Sequence, residues 1–405
     1  MKICGIVAEY NPFHSGHRYQ AEQARLRGGF DAVVAVMSGP FLQRGEPAIF
    51  DKWARARMAL CGGVDAVFEL PAFYALQSAD WFACGGISVL DGLRLDALSF
   101  GSEVEDIGTL RALGRLRFDE PEALKKALAE KMKEGLPHPR ARAAAIMATQ
   151  GGEEAAAMGD IADAGRPNAV LGAMYLHWLE RLQSAMEPIV VQRVSAGYHD
   201  TAIAGGIASA TAVRQALERG GDDWRQAVPP EAAQIIGGEL EQGRVPDLAA
   251  LDAMLLYALR SGAPWPDAAE GLHNRARSAA FTAGTAEGFA FAAKSKRYTM
   301  ARIKRAAMQV LLGITAEDIG TLRQARPAYA RLLGYSRRVE GLINELATRS
   351  AIPFVPRPAQ FQPQDADMDR LWHIDLRAGD VYALMMKNPA HRRGERDYTE
   401  KMIVV

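Results

Sequence analysis

Within the first hundred residues, four short apolar runs alternate with segments of helical period, and this alternation leaves few folds open. Ile3 to Ala8 is the first run, and the unbroken Ala32–Met37 is the second. Val64–Leu70 is the third, and Leu95–Phe100, ending at Gly101, is the fourth. The unbroken second run is the pattern of a strand buried on both faces. Helices are predicted from near Ser15 to about Arg27, closed by Gly28-Gly29, from about Asp51 to Cys61, and over 78–92. Strand and helix at this spacing predict βαβ units and a parallel sheet, an α/β fold. Open parallel sheets take their ligands at the carboxyl ends of the strands, so function is expected in the loops that follow these runs.

Beyond Gly101 the chain changes character. Residues 104–160 are rich in Ala, Glu, Lys and Arg and read as helical, with a break at Leu136–Arg142. A helix over Asn168–Gln183, a strand over Ile189–Val194 and a helix over Ser209–Arg219 follow. Residues 220–248 read as a linker, 249–350 as helices, and 351–405 as a proline-containing tail with strand-like runs at Val381–Met385 and Met402–Val405. The expected division is an α/β domain over 1–220, with a helical insertion at about 104–165, and a mainly helical region over 230–405.

Lys plus Arg and Asp plus Glu each number 48 in 405 residues, so any nucleic-acid contact must come from local basic patches and not from a bulk field. Cys4, Cys61 and Cys84 are scattered without metal or disulfide spacing, which fits a reducing compartment. No signal-peptide layout and no run of about 18 apolar residues is present, so a cytoplasmic protein with no membrane partner is expected. No GxxxxGK[ST] loop and no GxGxxG turn occurs, and no residue cluster predicts a resident metal.

The strongest chemical signal is His14-Ser15-Gly16-His17, placed where the first strand turns into a helix. A helix N-terminus offers unpaired N–H groups and partial positive charge, which suit an anion. Two imidazoles three residues apart share one face of that turn and can donate hydrogen bonds to phosphate oxygens. Gly16 is read as letting a flat base approach the backbone. A second signal is Ser209-Ala210-Thr211-Ala212-Val213-Arg214, where Ser209 or Thr211 can cap a helix and Arg214 can reach the same anion with its planar fork of donors. His17, His14, Lys52 and Arg214 are the candidate catalytic donors and cations.

These two motifs together resemble the HIGH-type nucleotidyltransferase superfamily, with Ala208 and Ala210 departing from its usual Ile-Ser-Ser-Thr. Several further stretches are similar to the tRNA(Met) cytidine acetate ligase family. They are Gly5–His17, Gln43–Ala48, Asp51–Trp53, Phe100–Glu103, Asn168–Gly172, Ala196–Asp200, Ser209–Arg214, and Tyr298-Thr299 with Arg302–Arg305. The resemblance implies a Rossmann-like domain joined to a mostly helical C-terminal region. It also implies an enzyme that joins acetate to ATP and acetylates N4 of the wobble cytidine of elongator tRNA(Met). ATP contacts are then expected at Val7, Ala8, Glu9, Tyr10, Asn11, Pro12, Phe13, His14, Ser15, Gly16, His17 and Gln20. More are expected at Gly101, Asn168, Arg193, Val194, Ser209, Thr211 and Arg214, with Mg²⁺ arriving on the ATP.

A basic stretch completes the reading. Lys294, Lys296, Arg297, Arg302, Lys304 and Arg305 lie close in sequence, with no acidic residue from Gly288 to Thr315. Tyr298 is interleaved. Such a cluster can neutralise phosphates while the aromatic ring stacks on a base, so these residues are the tRNA candidates; no DNA partner is expected. Two alternatives stand beside the ligase: a small-metabolite nucleotidyltransferase, and a non-catalytic factor that binds ATP and RNA.

Overall fold

The structure is a computed structural model that describes all residues except 119, 137, 151, 153–154, 156–157, 160–165, 194–208, 268–270, 296 and 328. The chain divides into two compact units, Met1–Leu95 with Ser195–Val405, and Asp96–Val194.

In the first unit, β1 (Ile3–Ala8), β2 (Ala32–Ser38) and β3 (Ala66–Leu70) lie parallel, with Ile3 opposite Ala32 and Val34 opposite Ala66. Every residue of β2 is buried, as its unbroken apolar run requires. The helix Ser15–Gly28 follows β1 and closes on Gly29, whose φ of 61° is the left-handed conformation that glycine adopts without strain. The helix Lys52–Cys61 starts from Asp51, whose carboxylate accepts the Ala54 N–H at 2.8 Å. In the second unit, β4 (Ala97–Ser102) pairs in parallel with β5 (Glu187–Gln192), and the break expected at 136–142 is shorter, because the helix His138–Gln150 takes up its last five residues while the helix Glu122–Lys133 ends before it. The fold is Rossmann-like, with a mostly parallel sheet and abundant helix.

Three expectations change. Residues 230–405 are not a separate helical body, because β6 (Ala330–Tyr335) pairs antiparallel with β3, and β7 (Phe354–Val355) and β8 (Ile403–Val404) both pair with β6. Arg331 inside β6 masks the strand pattern, yet it is 1% exposed and faces Glu69. The expected linker at 220–248 is packed: it holds the helix Pro230–Glu241, whose Ala232 and Ile236 join Trp224 and Val228, from the turn before it, in the core with Leu60 and Val213. Val381–Leu384 belongs to the helix Ala366–Leu384, where Leu371, Ile374, Ala378 and Tyr382 form the buried face.

That helix also buries Asp375, which accepts the Ala72 N–H at 2.6 Å and the Tyr329 hydroxyl at 2.5 Å. Desolvation, with the nearby Glu69 carboxylate, pushes the Asp375 carboxyl up to about 7. The folded chain therefore keeps a proton that the unfolded chain releases near pH ~4. Stability falls as pH rises through the window between those values and levels above it. Asp375→Asn is expected to flatten the loss in thermal midpoint between about pH 5 and about pH 8, read by thermal unfolding at both.

Among the described residues, no helix is long and apolar enough to cross a membrane. No group of three or more His, Cys, Asp or Glu among them could hold a metal ion.

Candidate active site

The turn after β1 is built from its aromatic residues. Tyr10 has a φ of 46°, a conformation costly for a residue with a side chain, and its ring is 2% exposed. The ring packs edge-on against Phe13 at 5.0 Å and against His17 at 4.9 Å, so buried aromatic contacts hold the strained backbone.

His14 is the N-cap of the helix Ser15–Gly28. Its Nδ1 accepts the Gly16 N–H at 3.1 Å, and His17 Nδ1 accepts the His14 N–H at 3.2 Å. The two rings stack with centroids 3.7 Å apart. This is a capping box made of two imidazoles. With both Nδ1 atoms accepting, each neutral ring carries its proton on Nε2, so both are donors at that atom. A Cβ at Gly16 would come within 2.9 Å of the His14 ring, so a side chain there would disturb the cap.

Arg214 reaches this turn from a distant part of the sequence. Ser209 caps the helix Ala210–Glu218 by accepting the Ala212 N–H at 3.1 Å. One turn on, Arg214 donates to the Asn11 carbonyl at 2.8 Å and to Thr211 Oγ1 at 3.1 Å. Asn11 Oδ1 in turn accepts the Ile49 N–H at 2.8 Å, tying the turn to the loop that precedes the helix Lys52–Cys61. Ser209, Thr211, Arg214, Asn11, His14 and His17 thus belong to one assembly, with Gln20 one turn beyond His17 on the same helix.

Sequence reasoning missed Arg55. Its side chain is fully buried, donating to the carbonyls of Glu9 at 2.7 Å, Ser38 at 2.9 Å and Phe50 at 3.0 Å, and also to that of Gly39. One guanidinium therefore joins the ends of β1 and β2. Beside it, the Glu9 carboxylate accepts the Gln43 N–H at 2.7 Å. Burial pushes the Glu9 carboxyl above its ordinary range, against the pull of that N–H and of Arg55. An arginine one turn into a helix reads as solvated, and no local signal marks it otherwise.

Lys52, expected among the phosphate cations, is corrected by its burial. Its side chain has no exposure; the ammonium donates to both Glu69 oxygens at 2.8 Å and to Asp397. Arg331 completes the cluster, 3.2 Å from Glu69 and bonded to Asp397. A cation so enclosed is spent on carboxylates within the protein.

The second unit gathers its own expected residues. Glu103, just past β4, accepts from Asn168 Nδ2 at 2.5 Å and from the Ala169 N–H at 2.7 Å, so it caps the helix Pro167–Arg181. The Arg193 N–H donates to the Ser102 carbonyl at 3.1 Å, and the Arg193 side chain passes over Gly101. Gly101, Asn168 and Arg193 therefore sit together at the ends of β4 and β5. Val194 lies outside the described residues.

The basic stretch divides. Tyr298, expected to stack on a base, is 5% exposed, with the Arg302 guanidinium 5.6 Å from its ring centroid. Arg302 grips Asp267 at 2.7 and 3.1 Å. Lys304 pairs with Glu46 at 2.6 Å, and Arg305 donates to the Gln43 carbonyl at 3.2 Å. Burial pushes the Arg305 guanidinium down to about 10. Gly45, at φ 76°, has no room for a Cβ because the backbone of Lys304 and Arg305 lies against it. Lys304 and Arg305 thus hold the loop after β2, while Lys294 and Arg297 are exposed. Lys296 lies outside the described residues.

A parallel sheet whose first turn carries two capped imidazoles, approached by an arginine from a Ser-capped helix, defines a HIGH-type nucleotidyl transferase; the HIGH Nucleotidyl Transferase family matches residues 1–397. Within that class the chain belongs to the tRNA(Met) cytidine acetate ligase family. It is 35% identical over 419 aligned residues to the tRNA(Met) cytidine acetate ligase of Acetivibrio thermocellus, covering 100% of both chains. It is 34% identical to that of Halothermothrix orenii over 98% of each. The apo crystal structure of Thermotoga maritima TmcAL superposes with a TM-score of 0.90 at 31% identity, covering 100% of both chains. The form of that protein bound with alpha-thio ATP gives a TM-score of 0.88 at 31% identity, over 100% of this chain and 99% of that one.

Proposed function

We propose that this chain activates acetate with ATP and acetylates N4 of the wobble cytidine of elongator tRNA(Met). The acetate carboxylate, already ionised at neutral pH, attacks the α-phosphate; pyrophosphate leaves and acetyl-adenylate forms. The N4 amine then attacks the acetyl carbonyl and AMP leaves. The first step needs positioning and charge neutralisation more than proton transfer. The His14–His17 cap with Arg214 at the Asn11 carbonyl carries this reading, because it sets two Nε2–H donors and a helix N-terminus at one turn. ATP contacts along Val7–Gln20 and at Gly101, Asn168 and Arg193 extend it, Mg²⁺ enters on the ATP, and the enzyme works in the cytoplasm.

The test is incubation with ATP and labelled acetate, with and without bulk tRNA. Label enters RNA, and acetate-dependent exchange of pyrophosphate into ATP occurs without RNA. Absence of both overturns the ligase reading. A small-metabolite nucleotidyltransferase would need no RNA, and a non-catalytic factor would bind ATP without exchange.

For tRNA, the exposed Lys294 and Arg297, between the helices Ala286–Ala293 and Met300–Leu311, remain the candidates. Lys294→Ala with Arg297→Ala is expected to weaken tRNA binding and to lower its salt slope by roughly one for each phosphate no longer neutralised, measured by binding titrations at several salt concentrations.

A further inference from the structure

The helix Lys52–Cys61 is gripped at its first turn by residues far along the sequence. Arg396 donates to Asp51 Oδ2 at 2.9 Å, while the other Asp51 oxygen caps the helix. The next residue, Asp397, accepts from Lys52 and Arg331. Trp53 fills the angle between the two grips, its ring centroid 4.6 Å from the Arg396 guanidinium and 5.0 Å from the Lys52 ammonium. All of this lies directly against the loop after β2: a Cβ at Gly39 would land on the Glu69 carboxylate of the same cluster. One turn along the gripped helix, Arg55 holds the Gly39, Ser38 and Glu9 carbonyls. The first turn of this helix therefore links Arg396 and Asp397, on Asp51 and Lys52, to Arg55 and through it to the nucleotide turn.

We infer that Arg55 is a positioning residue for the adenylation step, and that Arg396 and Asp397 set its aim through the helix Lys52–Cys61. Acetate activation then depends on the segment around residues 396–397 before any RNA is bound. The inference rests on the acetate-ligase reading. The physical reason is one of tolerance: donors to a reacting phosphate act only when held within a fraction of an ångström, and a displacement of about 1 Å costs roughly 10²-fold. A planar guanidinium can span carbonyls from two strand ends at fixed angles, whereas an ammonium at the same place is a point charge that cannot hold all of them.

The experiment is acetate-dependent ATP–pyrophosphate exchange on the full chain, without tRNA, for Arg55→Lys, Arg396→Gln and Arg396→Lys. ATP affinity by calorimetry and thermal midpoint are measured on the same preparations. Arg55→Lys is expected to lower the exchange kcat by about 30-fold or more, with the ATP Kd changed by less than about threefold. Arg396→Gln, with its thermal midpoint little moved, is expected to lower kcat about fivefold, and Arg396→Lys to restore most of that loss by keeping a cation on Asp51. The inference is overturned if either Arg55→Lys or Arg396→Gln, folded, exchanges within about twofold of wild type. It is equally overturned if kcat and ATP affinity fall in the same proportion, which marks a merely structural role. Should Arg55→Lys fail to fold, Arg396→Gln decides by the same criteria. A wild-type chain without acetate-dependent exchange overturns the ligase reading itself, which is a separate outcome.

Discussion

Replacing His17 with alanine is expected to lower acetate-dependent pyrophosphate exchange by about 10²–10³-fold while tRNA binding is kept. The ring does two jobs that can be separated. Its Nδ1 accepts the His14 N–H at 3.2 Å, a capping bond whose removal costs about 0.5–2 kcal/mol. In the proposed reaction its Nε2–H is the donor for charge developing on the departing phosphates. His14 is built the same way, so a second substitution tells the jobs apart. His14→Asn keeps a good N-cap for the Gly16 N–H but removes the imidazole donor. Its thermal midpoint is expected to stay near that of wild type while exchange falls nearly as far as in His17→Ala. Exchange assays beside thermal melts read both. Recovery of exchange in His14→Asn would assign the imidazole to the cap alone, and equal loss of tRNA binding in His17→Ala would merge the two binding roles.

The second large effect is on stability. Lys52→Met is expected to destabilise the fold by about 3–5 kcal/mol, because it leaves Glu69 and Asp397, both almost without exposure, facing Arg331 alone. For a chain of this size the thermal midpoint then drops by about 4–6 °C. A lysine serving phosphate would behave differently, with exchange lost and the midpoint unchanged. Measuring both on one preparation settles which description holds for Lys52.

What could be read from the sequence follows from the range of the interactions involved. The first turn was legible because a cap, a helix start and two imidazoles three residues apart are all local. Ser209 and Arg214 were legible for the same reason, a cap and a residue one turn on. Arg55 was not, since its acceptors lie on Glu9, Ser38 and Gly39, which only the parallel pairing of β1 and β2 brings to one place. Lys52 was misread because the partner that buries it, Asp397, is 345 residues away. The basic stretch misled in a related way: its charges are real, but Asp267, Glu46 and the Gln43 carbonyl occupy three of them. β6 hid because a buried arginine interrupts its apolar pattern, and the interruption has meaning only beside Glu69 on β3.

The antiparallel pairing of β3 with β6 also bears on how the chain is made. β3 is complete once Leu70 has been synthesised, but its outer neighbour begins only at Ala330. Throughout the intervening synthesis, a nascent sheet of β1, β2 and β3 presents an unpaired edge, the feature through which strands join foreign partners. Closing it requires a contact of very long sequence separation, which is slow to form. The three strands β1, β2 and β3 are therefore most exposed to aggregation on the ribosome, before β6 has emerged to cover β3.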